Sequence, residues 1–132
     1  LRLMNYKVET LKNNKFLLEQ KLSFLGDSTD ALRLQKNISD YNQNLIMKHL
    51  SRSLKFYYEG DYISALNEAE TAIELNPNLA VAYARRGSIY FQLGDIKRAS
   101  INWNMALKLD PDYDEVREIL RSVNESQVKD RL

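Results

Sequence analysis

A 34-residue internal period constrains this chain more than any other feature. Gly60-Asp61 and Gly94-Asp95 lie one step apart, as do Ala65 and Ala99, Ala72 and Ala106, and Asn76-Pro77 and Asp110-Pro111. Arg52 falls on Arg86, Ser53 on Gly87, Phe56 on Tyr90 and His49 on Tyr83, with no gap between the copies. A period of this length marks a supersecondary unit that cannot bury its apolar face alone and must stack on copies of itself. The chain is thereby restricted to a stack of similar units, about three of which are needed for stability.

Within residues 80–113 the local pattern is that of two amphipathic helices around a turn. Tyr83, Gly87, Tyr90 and Phe91 recur at helical spacing with a small residue at the centre of the face. Leu93-Gly94-Asp95 breaks the helix, because Gly accepts a left-handed backbone and Asp caps the next start. Ala99, Trp103, Ala106 and Leu107 then form an apolar stripe, and Asp110-Pro111 stops it. This order of large apolar, small, aromatic, Gly-Asp, Ala, aromatic, Ala and Pro resembles the tetratricopeptide repeat. One departure is Arg86, where the family pattern carries Leu. The resemblance implies an all-α fold, a right-handed superhelical stack of antiparallel helix hairpins. Residues 46–79 and 80–113 are its two good units. Residues 12–45 form a degenerate first unit, keeping Gly26-Asp27, Leu22, Ala31 and Asn42 in register but carrying Lys15, Glu19, Ile38 and Gln43 against the pattern.

Outside the repeats, Leu1, Met4, Val8, Leu11, Leu18, Leu22 and Leu25 fall on heptad positions, with only Lys15 out of pattern. No Gly or Pro interrupts residues 1–25, which predicts a long N-terminal helix with residues 1–11 projecting as an extension. Met4, Val8 and Leu11 would then form a self-association edge. After Pro111, Asp112 and Glu115 give a capping-box-like start, and Val116, Ile119, Leu120 and Val123 share one face. Residues 114–132 are expected to be a capping helix that frays after about Ser126.

Composition excludes several classes of function. The 132 residues suit one ordered domain, with 28% charged residues, four glycines and two prolines. There is no cysteine, and His49 is the one histidine, so a two-histidine metal site cannot be built within one chain, and His49 falls at a packing position of the repeat. Asp110, Asp112 and Asp114 alternate like the start of a calcium loop, but Pro111 interrupts them and the distal Glu is missing. No glycine-rich phosphate cradle occurs. No enzyme activity, cofactor or metal is expected. The longest apolar run, Leu79 to Ala84, is too short to enter a bilayer as a span. Residues 1–58 carry ten Lys/Arg against five Asp/Glu, and the remainder nine against thirteen, but no aromatic-interleaved basic stripe suggests nucleic acid. The first residue is Leu1 rather than Met, so the chain is expected to be a piece of a longer one, and the missing signal peptide carries no information.

What remains is surface. The resemblance implies a concave groove lined by the first helix of each unit, holding a segment of another protein. By position it would present Phe16, Gln20, Leu50, Leu54, Tyr57, Arg85, Ser88, Phe91 and Gln92, with Ser23, Ser51 and Val81 beside them. A subset of the family grips a C-terminal carboxylate with Lys, Asn, Asn, Lys and Arg. The matching positions here are Phe16, Gln20, Ser51, Val81 and Arg85, so only the last fits and chaperone tails are disfavoured. The expected function is a non-catalytic protein-interaction scaffold with a protein partner. The alternative is a structural element that forms a homodimer through its N-terminal heptad helix.

Overall fold

The computed structural model describes residues 2–25 and 29–131 and contains six helices among them. They are α1 (Arg2–Leu25), α2 (Thr29–Tyr58), α3 (Tyr62–Leu75), α4 (Ala80–Gln92), α5 (Ile96–Leu109) and α6 (Asp114–Arg131). The expected Gly26-Asp27 turn and the side chains of Met4 and Leu22 lie outside the described residues. No strand occurs among the described residues.

The two good units fold as the period dictates. Gly60 and Gly94 take φ of +82° and +84°, the left-handed region that Cβ-bearing residues disfavour. Around each glycine the same bonds close the turn: Asp61 N–H donates to the Phe56 carbonyl and Asp95 N–H to the Tyr90 carbonyl, both at 2.9 Å. Asp61 and Asp95 then cap the following helices, accepting from the backbone N–H of Ser64 and Arg98. At the far ends, Asn76 and Asp110 are extended because each precedes a proline.

Small residues set the spacing between helices. Ala65, Ala69, Ala72, Ala99 and Ala106 are wholly buried, and Ala31 occupies the same register position one step earlier, also buried. Side-chain volumes at the helix crossings are reciprocal. Trp103 faces Gly87 in one unit, whereas the residues one step earlier are Ala69 and Ser53, and there Ser53 has room to donate to the Ala65 carbonyl at 2.8 Å. Buried polar groups are also matched in register. Asn102 accepts from Arg86 Nε at 2.6 Å, while its counterpart Glu68 lies 2.5 Å from His49 Nδ1. The Arg86 guanidinium stands 5.4 Å from the Tyr83 ring centre, which accounts for the departure from the Leu of the family pattern.

The N-terminal part departs from expectation. The longest helix is α2, and it runs unbroken through Asn42-Gln43, where a unit boundary was expected. The physical reason is Gln43: it stands where the later units carry Pro77 and Pro111, so nothing removes a backbone donor or forces Asn42 out of the helix. The second helix of the first unit and the first helix of the next are therefore one rod. Helix α1 packs on α2 and α3: Val8 is 7% exposed, and Leu11 and Leu18 line a small cavity with Ile38 and Leu45 of α2 and Leu75 of α3. Lys12 reaches α3 in an ion pair with Glu74 at 2.9 Å. Of the edge expected to meet a second copy, Val8 is buried and Leu11 half-buried within the single chain. At the other end, α6 runs from Asp114 to Arg131, and Val116 and Leu120 bury against Tyr83, Ala84 and Trp103.

Candidate functional site

Helices α2, α4 and α6 line one side of the stack, and between them lies a groove with a cavity of about 300 Å³. From α2 come Leu54, Tyr57 and Tyr58, whose positions follow from the helical spacing that buries Leu50 and Ser53 one turn earlier. Val81, Arg85 and Ser88 come from α4, four and three residues apart and so on one face. Tyr113, Glu115 and Ile119 form the third wall, at and within the start of α6. An edge of Trp103 closes the floor. Tyr57 is held by edge-on contacts with Tyr58 and Tyr62, with ring centres 5.6 and 5.7 Å apart.

Arg85 is the charged group of the floor. It is half-buried, and its Nη1 donates to the Leu50 carbonyl at 2.9 Å. Burial lowers its pKa from the ordinary arginine value, opposed by the side chains of Tyr113 and Tyr58 rather than by a carboxylate. Burial likewise raises the Tyr113 phenol. A second, larger cavity of about 570 Å³ adjoins the first, and Val81 lines both. Its floor is Ile38, Ile46, Leu50 and Leu79, and its rim carries Gln35, Asn42 and Gln43.

Of the residues expected in the groove, Leu54, Tyr57, Arg85 and Ser88 line the first cavity and Leu50 the second. Phe16 and Gln20 line neither: both are exposed on α1, which meets the second cavity through Lys15 and Glu19 instead. On α1 the covered positions are Val8 and, in part, Leu11, whereas Phe16 is 57% exposed. Phe91 packs on Trp103 with ring centres 5.9 Å apart and lies outside the cavity. Gln92 sits at the rim, its Nε2 donating to the Tyr57 hydroxyl at 3.4 Å. The α6 wall was missed. One 34-residue step from Val81 and Arg85 lands on Glu115 and Ile119, so the period contained the signal. Among the described residues no cluster of three His, Cys, Asp or Glu is placed to hold a metal ion.

The family model of the tetratricopeptide repeat matches residues 80–113, the unit made of α4 and α5. Over those residues the chain is similar to a tetratricopeptide repeat. The whole chain has the fold of a tetratricopeptide-repeat domain. Among the solved structures that match is the first such domain of Spaghetti (RPAP3), bound to the HSP90 peptide SRMEEVD. The two share 22% identity and a TM-score of 0.60, over 93% of this chain and 94% of that one. No curated protein matches the chain in sequence. No helix among the described residues is long and apolar enough to cross a membrane.

Proposed function

We propose that this tetratricopeptide-repeat domain is a non-catalytic interaction scaffold holding a segment of another protein in the groove between α2, α4 and α6. The observation that carries the reading is the cavity itself, with Leu54, Tyr57, Val81 and Ile119 as apolar walls and one guanidinium on the floor. Exposed aromatic and aliphatic groups around a concavity give anchoring sites for side chains of an extended or helical segment. The structurally similar domain of Spaghetti was solved with a peptide bound, which accords with this use of the fold. Tyr58 is 77% exposed and Leu54 is 37% exposed, so truncating them leaves the core alone. The double variant Leu54→Ala, Tyr58→Ala should keep the wild-type melting curve and lose the proteins that the immobilised wild-type chain retains, quantified by mass spectrometry. Equal retention by the variant would contradict the groove as the binding site.

A further inference from the structure

The chemistry of the partner segment follows from Arg85, given the reading that the groove holds such a segment. Arg33, Arg98, Arg117 and Arg121 each pair with a carboxylate close in sequence. Arg85 is more buried than any of these and pairs with none among the described residues; its partner is the Leu50 carbonyl, which uses one of five guanidinium N–H donors. Glu115 lines the same cavity yet makes no ion pair with it. A half-buried cation without a counter-ion is costly, and the cost is relieved when an anion arrives with its ligand. The surroundings are Tyr57, Tyr58 and Tyr113, which suit a single carboxylate delivered beside apolar side chains.

We propose that the partner segment places one internal Asp or Glu side chain on Arg85, with neighbouring apolar residues against Leu54, Val81 and Ile119. A free C-terminus is not what this groove selects. Arg85 is the one cation among the residues lining this cavity, and Glu115 repels a second anion there. The peptide bound by the Spaghetti domain carries three acidic side chains in its sequence SRMEEVD. One guanidinium beside Glu115 matches one carboxylate rather than three.

The test uses random peptides displayed on phage as internal fusions, which present no free C-terminus, selected in parallel on the full chain and on Arg85→Met. Peptides enriched on the wild type should share one Asp or Glu between apolar residues, and that preference should vanish on Arg85→Met. A synthetic consensus peptide, acetylated and amidated, should bind Arg85→Met about tenfold more weakly, whereas its Gln analogue binds both proteins alike. Arg85→Lys should recover part of the loss, and it carries the comparison should Arg85→Met fail to fold. Enriched peptides lacking an acidic residue, or an acidic preference unchanged in Arg85→Met, would overturn the carboxylate assignment and leave the groove standing. A wild-type selection that enriches nothing would overturn both.

Discussion

Replacing Gly87 by Ala should destabilise the domain although alanine is the better helix former. A Cβ built at Gly87 would lie 2.6 Å from Trp103 Cδ1, 2.7 Å from Trp103 Nε1 and 3.1 Å from the Ala99 carbonyl oxygen. The indole is 2% exposed and packs against Phe91, with ring centres 5.9 Å apart. Overpacking of a tight core costs about 1–3 kcal/mol, and three simultaneous contacts on rigid atoms place this case near ~3. Against it stands about 1 kcal/mol gained from alanine's helix propensity, leaving a net loss of ~2 kcal/mol. For a chain of this size that corresponds to a fall in Tm of roughly 6–10 °C, measured by far-UV circular dichroism. The control is the same substitution in a Trp103→Leu background, where the clash is gone and Gly87→Ala should be neutral or slightly stabilising. A Tm that holds or rises in the wild-type background would refute the packing argument. So would an equal loss in both backgrounds, since the indole would then not be the cause.

Three further outcomes are expected. Gln43→Pro restores the stop that the first unit lacks and should break α2, costing about 3 kcal/mol and reducing helical ellipticity; a tolerated proline would mean that α2 need not be continuous. Leu11→Ala should lower the unfolding free energy measured by urea titration by roughly 1–2 kcal/mol, less than a fully buried leucine, and leave the chain monomeric in sedimentation. A wild-type chain that dimerises through Leu11 would instead show that α1 leaves its place in the stack. For Asp95, the Arg98 backbone N–H, and then the Arg98 guanidinium, hold the carboxyl below its usual pKa. Its contribution is therefore complete above the unfolded value of about 3.9 and is lost as pH falls through the lower folded value. Asp95→Asn should flatten the acid limb of the stability profile, and an unchanged limb would remove Asp95 from that account.

The fold was legible wherever a residue type forces a backbone state. Gly60 and Gly94 at the turns, Asp61 and Asp95 as caps, and the pre-proline Asn76 and Asp110 repeat at one spacing and do the same work in each unit. The continuity of α2 was also written in the chain, as the absence of Gly and Pro from residue 29 to residue 58, but resemblance to the later units suggested a boundary that Gln43 cannot make. The orientation of α1 was not legible. A heptad stripe shows that Val8 and Leu11 are covered, and it is equally satisfied by a second chain or by α2 and α3. Tertiary contact decides that, and with it the displacement of Phe16 and Gln20 from the groove. The α6 wall was obscured for another reason. A terminal helix looks like a solvating cap because its outer face is charged, yet Glu115 and Ile119 sit in the groove register of α4.

The central claim is that the face shared by α2, α4 and α6 is where a partner segment binds. The most direct measurement is amide and methyl chemical-shift mapping of the isotopically labelled chain, titrated with a capped peptide taken from the phage selection. The account expects saturable shifts at Leu54, Tyr57, Val81, Ser88 and Ile119, with Ile63, Ile101 and Met105 on the outer helices α3 and α5 unmoved. Shifts concentrated on α3 and α5, with the groove residues silent, would contradict it.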